Sequence, residues 1–399
     1  MTILLSLKSS RTTMDLYFDA NATTPLSREA ADAWLEVSKS HWHNPSSLYP
    51  KAAEAKQLLE DLREELADLL DCDAQRVVFT SGATEANNAV LGHAARLLDG
   101  SDSRLALSAI EHPCVVDTCE RLFARRSLLQ IGVTEDGVFD QSAFESVLAE
   151  NLVGFVSVMA ANNETGVLQP WPELAEACRG RGIPFHCDAA QWIGKLPLAD
   201  LHHCDFLTAS AHKFGGPPGV GFLLIPSGSS FHGQTGGPQE RGHRGGTENL
   251  PGIAAMVAAL NALGPLQTGE NRDQFERDLG ECLDGVRILG ATAPRLGNTS
   301  MFILPEHKNL RWLTRLGNRG IAVSTGSACS AGKGDPSRVM QAMGCSFAEM
   351  GKVLRVSSLP DASAEDWEAL LDGLLEVRDE LGAPNHSAKG IPKISLENL

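Results

Sequence analysis

The chain has 399 residues, 43% hydrophobic and 21% charged, enough for one large and one smaller buried core, and its composition is that of an ordinary soluble protein. With 34 Lys and Arg against 50 Asp and Glu, a formal charge of -16 repels phosphate backbones and anionic membranes, which argues against nucleic acid or a membrane surface as a direct partner. No apolar run approaches the roughly 20 residues of a bilayer span, and Ile3-Leu4-Leu5 is too short for a secretory signal, so a cytoplasmic location is expected.

In chain order, residues 1–15 are expected to form a flexible leader. The loop Asn21-Ala22-Thr23-Thr24-Pro25-Leu26 precedes a helix over 28–37. Leu48, Ala52, Ala55, Leu58, Leu59, Leu62, Leu66, Leu69 and Leu70 then recur every three or four positions, predicting an amphipathic helix of about six turns. From residue 77 the pattern alternates, with strands over 77–80, 104–109, 128–133, 153–159 and 184–187 and helices over 85–97, 113–123, 140–149 and 173–181. Alternation of this kind predicts a parallel sheet wrapped by helices. The runs 206–209 and 220–225 leave no room for a helix between them, so the second joins antiparallel. A helix over 249–263 leads to the breaker Gly264-Pro265. Segments 275–289, 298–304, 310–319, 339–343, 352–356 and 364–381 suit a smaller α+β domain. The expected fold is α/β: a large domain over 16–264 with a mostly parallel seven-stranded sheet between helices, a small α+β domain over 265–382, and a mobile tail over 383–399.

Nine cysteines, at 72, 114, 119, 178, 187, 204, 282, 329 and 345, form no CxxC pair. An odd, scattered set argues for reduced thiols and against a disulfide framework or a zinc ribbon. Eight read as structural. Cys329 differs, because it lies in the Ser-, Gly- and Ala-rich stretch 324–334, whose composition predicts a mobile loop from which a thiolate can reach a buried substrate and then an acceptor.

Ligands of open α/β sheets bind beyond the carboxyl ends of the strands. Those ends carry Ser81-Gly82-Ala83-Thr84-Glu85, Glu111-His112-Pro113, Asn162-Asn163-Glu164, Asp188-Ala189-Ala190-Gln191 and Ser210-Ala211-His212-Lys213. The first is a small-residue turn opening a helix, suited to a phosphate. The last places a lysine against an apolar strand, where a neutral amine is favoured. A phosphate site, a carboxylate, a flat histidine and a lysine at one sheet edge are the parts that hold pyridoxal phosphate.

These runs, with Arg244-Gly245-Gly246-Thr247 and Ser324-Thr325-Gly326-Ser327-Ala328-Cys329-Ser330, resemble the cysteine desulfurases of the IscS/NifS type within the class V aminotransferases. The resemblance covers roughly residues 16 to 380. It implies that Lys213 anchors pyridoxal 5'-phosphate as a Schiff base, Asp188 pairs with the ring nitrogen, Gln191 bonds the phenolic oxygen and His112 stacks on the ring. Ala83, Thr84, Ser210 and His212 belong to the cofactor's phosphate site, joined by Thr247 across a homodimer interface. Arg355 clamps the substrate carboxylate with Asn163, which also borders the cofactor. Lys213, His112 and Cys329 are the implied catalytic groups, Cys329 taking sulfur from L-cysteine as a persulfide and passing it to an acceptor such as an iron-sulfur scaffold. The alternatives are a selenocysteine lyase and another class V aminotransferase, the latter having no need of Cys329. No metal site is expected.

Overall fold

The structure is a computed structural model that describes residues 16–326 and 336–383. The expected leader, the loop residue Cys329 and the tail from 384 lie outside the described residues.

The chain starts with a two-residue strand, Leu16–Tyr17 (β1). Ser27 then caps Arg28–Ser40 (α1), its hydroxyl accepting the Ala30 N–H at 3.1 Å, which satisfies one donor that a helix start leaves open. The leucine periodicity forms Pro50–Leu69 (α2), burying Ala52, Ala55, Leu59, Leu62 and Leu66 on one face. Next come Val77–Thr80 (β2), Ala83–Leu97 (α3), Arg104–Ser108 (β3), Pro113–Leu122 (α4), Leu128–Ile131 (β4), Gln141–Ala149 (α5), Val153–Ser157 (β5), Trp171–Arg179 (α6), Phe185–Asp188 (β6), Phe206–Ser210 (β7) and Gly221–Leu224 (β8).

These seven strands form one sheet in the order β2-β8-β7-β6-β5-β3-β4. Only β8 runs antiparallel to its neighbours, as the short 206–225 spacing predicts. Every residue of β2, β6, β7 and β8 is buried, the pattern of strands covered on both faces. One face packs on α1, α2, α5, α6 and Leu250–Asn261 (α7). The other packs on α3, α4 and Phe231. The carboxyl ends of β2, β3, β5, β6 and β7 therefore share one edge.

Beyond α7 come Glu270–Cys282 (α8), Arg287–Ile288 (β9), Thr299–Ile303 (β10), Asn309–Asn318 (α9), Ile321–Ala322 (β11), Arg338–Ala342 (α10), Phe347–Met350 (α11), Val353–Ser357 (β12) and Ala364–Gly382 (α12). Strands β12-β10-β9 form an antiparallel sheet, and α8, α9 and α12 share a second core with it through Phe275, Phe302, Trp312 and Trp367. No described helix is long and apolar enough to cross a membrane.

Three features differ from the sequence reading. Helix α3 starts at Ala83, because Gly82 at φ 141 serves as its cap, a conformation open to glycine. The segment 275–289, given no element type from the sequence, divides into helix α8, which starts earlier at Glu270 and ends at Cys282, and Arg287 and Ile288, which pair with β10. Finally β1 pairs in parallel with β11, and Leu16 and Phe18 lie in the second core. The first described residues thus pack with the last third of the chain.

Candidate active site

At the shared strand edge, Ala83, Thr84, His112, Asn163, Asp188, Gln191, Ser210, His212, Lys213 and Arg355 line one cleft of about 420 Å³. Thr247 is exposed and is not among the lining residues.

After β2, a Cβ on Gly82 would sit 3.2 Å from Ser210 Oγ, so glycine lets the start of α3 approach Ser210 closely. No side chain caps α3, which leaves its first-turn N–H groups as donors at one end of the cleft, beside Thr84. Glu85 is committed elsewhere, accepting from Ser81 N–H at 2.9 Å and pairing with Arg244 at 2.8 Å.

Asp188 ends β6 and is 5% exposed. Its Oδ1 accepts from Ala190 N–H at 3.0 Å and its Oδ2 from Asn87 Nδ2 at 2.7 Å. Asn87 is itself fixed, because Thr208 Oγ donates to its Oδ1 at 2.6 Å. His112 is the N-cap of α4, its Nδ1 accepting the Cys114 N–H at 3.2 Å, which leaves Nε2 as the protonated nitrogen of the neutral ring. Burial holds the His112 pKa below the usual histidine value; Lys213 adds to that and Asp188 opposes it. The Cys114 thiol, in contact with His112 Nδ1 at 3.0 Å, is pushed up to about 12 by burial and then by Asp188. It stays protonated and unreactive at neutral pH.

Lys213 follows β7 and donates to the main-chain oxygens of Asn21 and Ala22, each at 2.7 Å. Burial, then Lys213, push the neighbouring His212 down to about 4, so its ring is neutral. Gln191 Nε2 donates to the same Asn21 oxygen at 2.9 Å. Asn21 also reaches the second sheet, its N–H donating to Ser357 Oγ at 3.0 Å and its Nδ2 to Thr299 Oγ1 at 2.9 Å.

Arg355, from the middle of β12, is 1% exposed. One terminal nitrogen donates to the main-chain oxygens of Asn163 and Gly326, both at 2.9 Å, and the other to Asp19 at 2.5 Å. Its buried Nε has no protein partner among the described residues. Asn163 thus meets Arg355 through its main chain. Burial raises the pKa of the adjacent Glu164 carboxyl against the opposing pull of Ser337, which donates to it at 2.6 Å, and of Arg355.

Asn87, Asp19, Asn21 and Lys195 escaped the sequence reading. Asn87 alone carried a signal, standing one helical turn after Thr84 and so on the same face of α3. The cleft fits pyridoxal phosphate: helix-start N–H donors and nearby hydroxyls suit the phosphate, the buried Asp188 a ring nitrogen, and Lys213 the aldehyde carbon.

The class V aminotransferase family model matches residues 16–370. A cysteine desulfurase of Enterobacter agglomerans is 37% identical over 352 residues, 86% of this chain and 87% of the relative. Another, from Cereibacter sphaeroides, is 36% identical over 376 residues, 92% and 97% of the two chains. Among solved structures, a NifS-like protein superposes with a TM-score of 0.83 at 29% identity, over 92% of this chain and all 100% of its own. SspA in complex with cysteine gives a TM-score of 0.77 at 28% identity, over 88% and 99%.

Proposed function

Because the chain belongs to the pyridoxal-phosphate-dependent class V aminotransferase family, and within it to the cysteine desulfurases, we propose that it converts L-cysteine to L-alanine and moves the sulfur to Cys329 as a persulfide. The observation that carries this reading is the meeting of Lys213, Asp188, His112 and Arg355 in one cleft.

Pyridoxal phosphate, when bound, supplies a sink for the electron pair left at the substrate α-carbon. Lys213 would anchor it, and the Lys213 amine would take the α-proton. Asp188, held by Asn87 and the Ala190 N–H, keeps the ring nitrogen protonated. Gln191 would donate to the phenolic oxygen, and the neutral His112 ring would stack on the cofactor, with its Nε2–H available to the substrate thiol. Ala83, Thr84, Ser210 and His212 hold the phosphate. Arg355 takes the substrate carboxylate as a planar fork, with Asn163 beside it. The Cys329 thiolate attacks the substrate sulfur: an S–S bond forms, the C–S bond breaks, and its electron pair stays on the substrate β-carbon, which takes up a proton on the way to alanine. No external oxidant is needed for this transfer. The protein acts in the cytoplasm as a homodimer in which Thr247 of each copy reaches the other's phosphate, and an iron-sulfur scaffold is the proposed sulfur acceptor.

Purified protein given L-cysteine and a reductant is expected to release alanine and sulfide in equal amounts. Cys329→Ser should stop turnover while keeping the yellow colour, and Lys213→Ala should lose the colour. After cysteine alone, mass spectrometry should map a sulfur adduct to Cys329. Undiminished desulfuration by Cys329→Ser would overturn the covalent step.

A further inference from the structure

A second lysine stands beside Lys213. Lys195 lies in the turn after β6, four positions beyond Gln191, and its amine donates to Gln191 Oε1 and, at 2.7 Å, to Asn21 Oδ1. Gln191 is therefore held at both ends. Its Nε2 gives one proton to the Asn21 main-chain oxygen at 2.9 Å, an atom that only accepts, while its Oε1 takes a proton from Lys195. The second Nε2 proton remains for a ligand in the cleft that Gln191 lines. The turn itself is clamped. Gly194 has φ +82, and a Cβ there would stand 2.2 Å from the Cβ of Phe214, the residue after Lys213, so the segment carrying Lys195 packs directly against the segment carrying the anchoring lysine.

Resting on the cofactor assignment above, we propose that Lys195 is a positioning residue that fixes which end of the Gln191 amide faces the phenolic oxygen of pyridoxal phosphate. Without it, Gln191 can turn its carbonyl toward that oxygen, replacing a donor by a repelling acceptor. The charged groups acting on Lys195 are Lys213, from the turn after β7, and Arg355, from β12; burial first, then these two, hold its pKa well below the ordinary lysine value. With two protons as an amine or three as an ammonium, it can donate to both oxygens in either state.

The test is a spectral titration of the holoprotein, reading the pH at which the visible band of the lysine-bound cofactor changes. A donor on the phenolic oxygen stabilises its negative charge, so loss of that donor raises the midpoint. Lys195→Met and Gln191→Ala should each raise it by about one pH unit, and the double variant should move no further than either single variant. Lys195→Arg, which keeps donors at this place, should stay nearer the wild-type midpoint than Lys195→Met. A wild-type midpoint in Lys195→Met, or fully additive shifts, overturns the proposal, since a direct charge effect on Lys213 persists without Gln191. An unmoved midpoint in Gln191→Ala overturns instead the placing of Gln191 on the phenolic oxygen. If Lys195→Met gives no folded holoprotein, Lys195→Leu carries the same comparison, and a lowered melting temperature with an unmoved midpoint marks a purely structural lysine.

Discussion

Replacing Asn87 by leucine keeps the branched skeleton of a fully buried side chain and removes its amide. Three hydrogen bonds disappear, one of them from Nδ2 to the Cys114 sulfur at 3.2 Å. The bond from Nδ2 to Asp188 Oδ2 at 2.7 Å goes to an ionisable acceptor, and the Thr208 hydroxyl loses the amide oxygen to which it donates at 2.6 Å. A hydrogen bond to a charged group contributes about 1.5–3 kcal/mol. If Asp188 needs that donor to hold its position against the ring nitrogen, kcat should fall roughly ten- to a hundred-fold. The stranded Thr208 hydroxyl adds a stability loss of about 1–3 kcal/mol. Asn87→Asp should do worse, because it sets a second carboxylate against Asp188 in a buried place. Steady-state kinetics on the holoprotein and urea denaturation of the apoprotein separate the two effects. A lowered denaturation midpoint with unchanged kcat in both variants would refute the link from Asn87 to Asp188, leaving Asn87 a purely structural residue.

Other parts of the fold give equally definite expectations. Burial holds His186 at about 4, with Asp188 opposing, and its Nε2 has no partner among the described residues. Its folded value lies below the unfolded one, so the unfolded chain takes the proton first; the stability is present above about pH 6.5 and is lost as pH falls toward 4, on the order of 3 kcal/mol. His186→Gln should flatten that slope in denaturant titrations at pH 7 and pH 4.5. Glu240 and Arg63, each with a side chain 1% exposed, pair at 2.7 Å, and Glu240 also accepts the Phe79 N–H at 2.8 Å. Breaking the pair with Glu240→Ala should cost about 3–5 kcal/mol, read as a lower unfolding midpoint. Arg355→Lys removes the planar fork and should raise KM for cysteine by roughly ten-fold or more, with little change in the cofactor spectrum.

Much of this architecture could be read from residue order. Strands 77–80 through 220–225 stood out because buried central strands are continuous apolar runs divided by amphipathic helices, and the strand ends then pointed to Thr84, His112, Asp188 and Lys213 without reference to tertiary contacts. Strand β1 could not be found this way. Two residues carry no period, and their partner, Ile321–Ala322, is some three hundred positions distant. Asn87 and Lys195 escaped for a related reason: a buried amide or amine is defined by what it donates to, and Asp188 and Gln191 come within reach of them only through the folded packing of α3 and the turn after β6. Asn163 was expected beside Arg355 at the substrate carboxylate, and the bond between the two runs from Arg355 to the Asn163 main-chain oxygen, an atom every residue type supplies.

The place of Asn21 has a consequence for biosynthesis. Its N–H bonds Ser357 and its amide bonds Thr299, contacts spanning 336 and 278 positions, while its carbonyl holds Lys213 and Gln191. At a synthesis rate of 5–20 residues per second, Ser357 follows Asn21 out of the ribosome by roughly 20–70 s. During that interval the large sheet can form, yet the loop that receives Lys213 has nothing to close against. A nascent chain is therefore unable to complete this cleft until β12 has been made, and a chain truncated before β12 would carry every strand of the large sheet but not Arg355 or the Ser357 contact.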